Sequence, residues 1–284
     1  MMSPSLIVLA LVAAYPIGYA IWLSLNEYSV RVPGLSRFAG LKNYTTALGS
    51  SEFWDAFVNT FVFTIISVSI ELVLGIVFAL AMHRAFKGRA ILRATVLVPW
   101  AVLTFGTALL WRSIFEPGLG LVPSMLETLG LPGGDVVWLG EDGYAMAVMV
   151  FADVWKTAPF MALLLLAGLQ VIPDEVYDAA KVDGASTWQR FTRITLPLLR
   201  PAILVALLFR TLDALRVFDL PFGLTKGANG TNTLSLYAYQ ELTANRIVGL
   251  GSALSVITFL IVMTVSFIYI RFVGGNIRAL TEEG

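Results

Sequence analysis

Apolar residues in this chain gather into long unbroken runs, not into the alternation of half-buried strands or the narrow stripe of a soluble helix. Six runs reach the roughly 20 residues that a helix needs to cross a hydrocarbon core about 30 Å thick. They are Pro4 to Leu25, Phe57 to Met82, Ala94 to Phe115, Tyr144 to Gln170, Ala202 to Leu224 and Gly249 to Phe272. Alternating segments of about ten residues, the mark of a membrane barrel, are absent. The pattern predicts an all-α, polytopic membrane protein with six transmembrane helices. Pro99, Pro159 and Pro221 fall inside the third, fourth and fifth runs and predict kinks there. The first run has no basic start and no small-residue cleavage site, so it reads as a retained helix and not a secretory signal. Its abrupt apolar start suggests a shortened N-terminus.

The connections carry the polar residues. Lys and Arg number ten on the side that holds both termini, Arg84 to Arg93 and Val171 to Arg200. They number six on the other side, namely Arg31, Arg37, Lys42, Arg112, Lys226 and Arg246. This bias puts both termini in the cytoplasm. No connection is long enough for a soluble domain, so residues 1–284 read as a single transmembrane domain without internal repeats. The triplets Asn43-Tyr44-Thr45 and Asn229-Gly230-Thr231 match a glycosylation pattern that is common by chance, and carry no weight.

One connection differs from the rest. Residues 171–200 begin with Pro173, Asp174 and Glu175, a helix start with acids at the positive dipole end. Helix formers continue to Asp183, and Gly184 can take the left-handed conformation that stops a helix. Ser186 and Gln189 form a capping box that starts a second helix, expected to run only to about Leu196 because Pro197 and Pro201 interrupt it. Tyr177, Ala180, Val182, Trp188, Phe191 and Ile194 place apolar groups on a face expected to meet water. Such a face is either a docking surface for a partner or an amphipathic pair lying on the membrane interface. The residues alone leave the two level.

Asp178-Ala179-Ala180, Gly184 and Ile194-Thr195-Leu196-Pro197 resemble the signature loop of permease subunits of binding-protein-dependent ATP-binding-cassette importers. The longer form found in sugar permeases is matched by Ile172-Pro173, Asp183-Gly184-Ala185 and Phe191, with Asp178 standing where the family usually has Glu. Phe38-Ala39-Gly40-Leu41-Lys42-Asn43-Tyr44 looks like the group's first outer-loop motif. Phe218-Asp219 with Leu224-Thr225 is similar to the end of its fifth core segment, although Lys226 and Asn229 depart from the glycine-rich turn that often follows. The whole is most similar to the maltose and trehalose permease group. The resemblance implies a type I importer permease fold with a core over residues 55–273 and a cytoplasmic coupling loop over 171–200. It implies that this loop seats in a cytoplasmic ATPase through Tyr177, Asp178, Ala179, Ala180, Val182, Asp183, Gly184, Ala185, Ser186, Trp188 and Phe191. The implied partners are a second homologous permease, two ATP-binding-cassette ATPases and an extracytoplasmic sugar-binding protein or lipoprotein, all at a bacterial inner membrane. No cofactor is expected in this chain; ATP and magnesium belong to the ATPase. The expected cargo is a disaccharide such as trehalose or maltose, with glycerol 3-phosphate or a monosaccharide as the alternative.

Arg112 and Arg271 sit at the ends of their runs and count with the connections; seven charges fall deeper inside: Glu71, Asp153, Lys156, Arg210, Asp213, Arg216 and Asp219. Each is costly in lipid. Asp153 and Lys156 are spaced to neutralise one another on one helix. Arg210, Asp213, Arg216 and Asp219 alternate in sign every three residues. The plainer reading is an ion-pair ladder that locks the fifth helix to its neighbours. The sharper one is a water-filled sugar path using Glu71, Asp153, Arg210, Asp213 and Asp219, with Trp155 as the best-placed ring for stacking. Gly75, Ala79, Gly106, Ala108 and Gly168 read as helix-packing positions, and Trp22 and Trp111 as interface anchors.

Composition narrows the function classes. The chain is 57% apolar and only 13% charged, with a mean hydropathy of +0.80, whereas a soluble domain carries about 25% charged residues. Zero net charge leaves no field to hold nucleic acid. No cysteine and a single histidine, His83, exclude thiol catalysis and a histidine-based zinc site, and no nucleophile–base constellation appears, so the chain reads as a transport subunit and not an enzyme. His83 reads as a cytoplasmic-surface residue. An ion-coupled secondary transporter is the rival in another class; it would have no reason to present the loop at 171–200.

Overall fold

The computed structural model describes residues 3–30, 36–83 and 87–282; Arg31 and Arg84 of the charge count lie outside them. A first helix, α1 (Ser3–Ser24), leads into strands β1 (Asn26–Tyr28) and β2 (Ser36–Phe38) and a short helix α2 (Lys42–Gly49). There follow α3 (Ser51–His83), α4 (Arg89–Ala101), α5 (Thr104–Ile114), α6 (Leu121–Thr128) and α7 (Tyr144–Leu169). The remainder comprises α8 (Asp174–Val182), α9 (Thr187–Arg190), α10 (Leu196–Ala214), α11 (Asp219–Leu224), α12 (Leu234–Thr243) and α13 (Val248–Glu282). Among the described residues, four helical stretches are long and apolar enough to cross a membrane, or five if α4 and α5 together count as one. The four are α3, α7, Thr187–Ala214 and Val248–Arg271.

Three expectations are corrected. The third apolar run is not one kinked helix: α4 and α5 meet at 91° across Val102 and Leu103. The fifth run is displaced, because α9 continues through one π-helical turn (Phe191–Thr195) into α10 and ends at Ala214. Pro197 and Pro201 therefore lie inside a continuous helix. The wider turn ahead of Pro197 shifts the hydrogen-bond register where a proline ring would otherwise strike a carbonyl and leave it unbonded. The chain is also not purely helical, since β1 and β2 pair antiparallel, with Asn26 opposite Phe38 and Tyr28 opposite Ser36.

That ribbon explains the motif at Phe38 to Tyr44. Gly40 turns with φ +56°. Asn43 is buried and its amide donates to the carbonyls of Ser24 (2.8 Å) and Asn26 (2.9 Å), so it is no glycosylation acceptor. The Tyr44 hydroxyl meets Ser24 Oγ at 2.6 Å. α13 passes so close that a Cβ on Gly249 would fall on the Asn26 carbonyl oxygen.

The core lies between α3 and α7, with α10 against both. Phe63, Met82, Met149, Met161, Leu165, Leu169 and Leu199 are fully buried there. Small residues set the approach, as helix contacts within lipid require. A Cβ on Gly75 would lie 2.5 Å from Met161 Cγ, one on Gly168 would fall on Ala202, and one on Gly223 would lie 2.5 Å from Ala108 Cβ. Gly106 is the exception: it is exposed, and its nearest neighbour would be Leu103 Cβ at 3.9 Å.

Candidate functional site

The loop over 171–200 folds as helix, hinge and helix. Pro173 caps α8, with Asp174 and Glu175 in its first turn. At its end the Gly184 amide donates to Lys181 O (3.1 Å) and the Ala185 amide to Ala180 O (2.9 Å), the paired bonds of a Schellman turn, with Gly184 at φ +75°. Ser186 then caps α9 reciprocally: Gln189 N donates to Ser186 Oγ (3.2 Å) and Ser186 N to Gln189 Oε1 (2.8 Å). The Tyr177 hydroxyl meets Thr195 Oγ1 at 3.1 Å and ties α8 to the π turn. The turn and cap bonds together with the Tyr177–Thr195 contact thus hold the two short helices in one relation.

The apolar face is only partly as expected. Val182 is 89% exposed and Trp188 71% exposed, whereas Ala180 is buried and Tyr177, Phe191 and Ile194 are half-buried. Asp178, Ala179, Asp183, Gly184 and Ser186 are exposed, and Ala185 is half-buried beneath the turn. Asp178 is engaged by Lys181 of its own helix at 2.7 Å. Beneath the loop lies an open cleft of about 1040 Å³, lined among others by Leu80 and His83 of α3, Leu169 of α7, and Tyr177, Trp188, Arg190 and Phe191.

The second region lies deep in the helix bundle. Arg210 of α10, almost fully buried, donates from Nε and Nη2 to Glu71 of α3 (2.5 and 2.8 Å). It also donates from Nη2 to Asp153 of α7 (2.7 Å) and from Nη1 to Asp213 one turn along (2.6 Å). Thr157 Oγ1 lies 2.6 Å from Glu71 Oε1. One guanidinium thus joins three helices through three carboxylates. Asp153 pairs with Arg210 and not with Lys156, whose ammonium instead donates to the carbonyls of Trp100 (3.3 Å) and Val102 (2.5 Å) at the α4–α5 bend. The expected ladder has one rung only. The helix stops at Ala214, Arg216 Nε turns back to Leu212 O (3.1 Å), and Asp219 begins α11 on a separate segment.

A cavity of about 140 Å³ opens beside this cluster, lined by Thr104, Asp153, Lys156, Thr157, Arg210, Asp213, Ala214, Arg216, Val217, Phe218 and Asp219. It gathers Asp153, Arg210, Asp213 and Asp219 of the expected path. Glu71 stands behind Arg210 and does not line it. Trp155 does not either: it lies two residues on from Asp153, across α7, edge-on to Trp111 with ring centroids 5.6 Å apart. Sequence reasoning missed Thr104 and Thr157, which carry no charge to mark them, and noted Phe218 only within the Phe218-Asp219 resemblance and not as a cavity residue. Among the described residues no cluster of side chains suited to a metal ion occurs.

A bundle of apolar helices with buried charges at its centre and a rigid helix–hinge–helix at one end defines a solute-conducting membrane subunit. The chain belongs to the family described as binding-protein-dependent transport system inner membrane component, whose model matches residues 44–278. It is 43% identical over 274 residues to the trehalose transport system permease SugA of Mycobacterium tuberculosis, covering 96% of this chain and 87% of that protein. It is 44% identical over 273 residues to the trehalose/maltose transport system permease MalF of Thermococcus litoralis, covering 95% and 91% respectively. Among solved structures, a chain of the bacterial alginate transporter in complex with its alginate-bound periplasmic protein superposes with a TM-score of 0.82. That match is at 23% identity, over 94% of this chain and 91% of that one, and it establishes the fold.

Proposed function

We propose that this chain is a permease subunit of an ATP-driven importer for a neutral disaccharide of the trehalose or maltose kind, forming half of the translocation path. The observation that carries this reading is the hinge at Gly184, which leads without a break from α9 into the helix that ends on the Arg210 cluster. On this reading residues 171–200 face the cytoplasm, as do both termini, and α1 supplies a sixth span. At about 33 Å for its 22 residues, α1 has the length for it. Val182, Trp188, Asp178, Ala179, Asp183, Gly184 and Ser186 meet the ATPase, while Tyr177, Ala180, Ala185 and Phe191 hold the loop's shape from beneath. ATP and magnesium act in that partner and not in this chain. The remaining partners are a second permease, a second ATPase subunit, an extracytoplasmic binding protein or lipoprotein, and the surrounding lipid.

The cavity supports a neutral, hydroxyl-rich cargo. Its lining sets Lys156, Arg210 and Arg216 against Asp153, Asp213 and Asp219, a balance that suits hydroxyl donors and acceptors better than an anion. Its volume of about 140 Å³ falls below the about 300–1,000 Å³ of a complete small-molecule site, as expected where the second permease supplies the other wall. Mechanistically, closure of the ATPases displaces the α8–α9 element, and the helix attached to it carries that displacement to the cavity as a rigid body. The test is reconstitution with a second permease and the ATPase in liposomes. Uptake of labelled trehalose or maltose should require internal ATP, and uptake driven by an ion gradient without any ATPase would overturn the reading.

A further inference from the structure

The bend between α4 and α5 is held by a residue far away in the chain. A helix that ends inside a membrane leaves carbonyls without partners, and each such group is costly where no water can reach it. At this bend Val102 N returns to Pro99 O (3.3 Å), while the carbonyls of Trp100 and Val102 accept from the Lys156 ammonium of α7 (3.3 and 2.5 Å). Lys156 is 8% exposed, and its charge sits at the negative end of the α4 dipole, where a cation is stabilising. The same side chain lines the polar cavity, which also holds Asp153 and Asp213. Asp153 is taken by Arg210, so the ammonium's bonds go to the bend.

We infer that Lys156 is a positioning residue that latches the α4–α5 elbow and so sets the shape of the polar cavity. The ammonium stands between two sets of acceptors, the elbow carbonyls and whatever occupies the cavity. A hydroxyl-bearing solute that draws the ammonium toward itself frees the elbow, and an empty cavity leaves it latched. The second half of this inference rests on the import reading proposed above, whereas the first half, the latch, stands on geometry alone.

The chain has no cysteine, so labels can be introduced without background. Ile91 on α4 and Leu110 on α5 are both exposed. At 1.5 Å per residue the backbone separation between them is about 20 Å across a right-angled elbow and about 28 Å along a straight helix. Double electron–electron resonance on the full chain in lipid nanodiscs, carrying Ile91→Cys and Leu110→Cys, should give a narrow distribution near the shorter value. Adding Lys156→Met should broaden it toward the longer one, and Lys156→Arg should restore it. A Lys156→Met distribution identical to the parent overturns the latch. If that variant does not fold, Lys156→Gln, which donates without charge, replaces it and must give an intermediate width, an unchanged width again being fatal. In the assembled importer the Met variant should raise the solute concentration for half-maximal uptake about tenfold, the scale of one lost charged hydrogen bond, with Arg restoring it. An unchanged value in a chain whose elbow has opened removes the link to the cavity. Absence of ATP-dependent uptake in the parent would instead overturn the import reading and leave the distance result standing.

Discussion

Replacing Gly184 isolates what the hinge contributes. Its φ is +75°, and a Cβ built there meets no atom within 4 Å, so a side chain at this position collides with nothing in the chain. What it meets is backbone strain, about 1–2 kcal/mol for an ordinary L-residue in the left-handed region, with Asn tolerated better and β-branched residues worse. At 1.4 kcal/mol per factor of ten, the upper figure shifts the balance between the closed turn and an opened one by about thirtyfold. Gly184→Asn should therefore stay near the parent, Gly184→Ala should fall between, and Gly184→Val should lose most. The assay is ATP hydrolysed per sugar molecule imported in proteoliposomes, with co-purification of the ATPase as a second readout. Gly184→Val should continue to hydrolyse ATP while transport drops. Equal losses for Asn, Ala and Val, or a Val variant with the parental ratio, would refute the strain argument.

Arg210→Met should lower stability by about 3–5 kcal/mol, because it strands Glu71 and Asp153 as buried carboxylates. Adding Glu71→Gln should recover part of that loss in thermal unfolding, and a loss under about 1 kcal/mol would contradict the cluster as drawn. Lys226 holds φ +58° without being glycine, so Lys226→Gly should stabilise by up to about 1 kcal/mol in denaturant titration, strain relief outweighing added chain entropy. Glu27 accepts from Arg37 (2.8 Å) and Lys42 (3.2 Å), and these hydrogen bonds, Arg37 first, hold its carboxyl below the usual glutamate range. A depressed folded-state pKa means that the ribbon's support is present above that range and lost as pH falls through the folded value. Hydrogen exchange of the Asn26–Tyr28 amides should be flat above pH 6 once corrected for the intrinsic rate, and should accelerate only below about 4.3.

What could be read from the sequence was what is local. The hinge was legible because Pro173, Gly184, Ser186 and Gln189 act through bonds no more than five residues apart. The apolar runs were legible because lipid forces a spanning chain to satisfy its own backbone. The elbow was marked by Pro99 only as a kink, since the group that stabilises a full break lies 54 residues away in Lys156. The Arg210 cluster draws on Glu71, 139 residues distant, and Asp153 chose it over the nearer Lys156. The ribbon escaped notice because its strands have three residues each and depend on the buried Asn43 amide, not on any strand pattern. The departures at Lys226 and Asn229 fell where the backbone is left-handed, at φ +58° and +55°, the conformation a glycine adopts without strain.

The π turn at Phe191–Thr195 has a mechanical consequence. Because it lets the helix pass Pro197 and Pro201, the stretch Thr187–Ala214 spans 28 residues, about 42 Å, against a hydrocarbon core of about 30 Å. The rod is thus longer than the apolar layer is thick, with α9 and the hinge at one end and Arg210 near the other. The Arg210 bonds fix the rod to α3 and α7, and the Gly75–Met161 and Gly168–Ala202 contacts leave those helices no slack. A push at the hinge must then move α3, α7 and α10 together. The freedom that remains lies where the backbone is interrupted, at the α4–α5 elbow and at residues 215–218 ahead of α11. Both interruptions border the polar cavity through Thr104, Val217 and Phe218, so on the import reading proposed above a push at the hinge would be released around the cavity and not within the core.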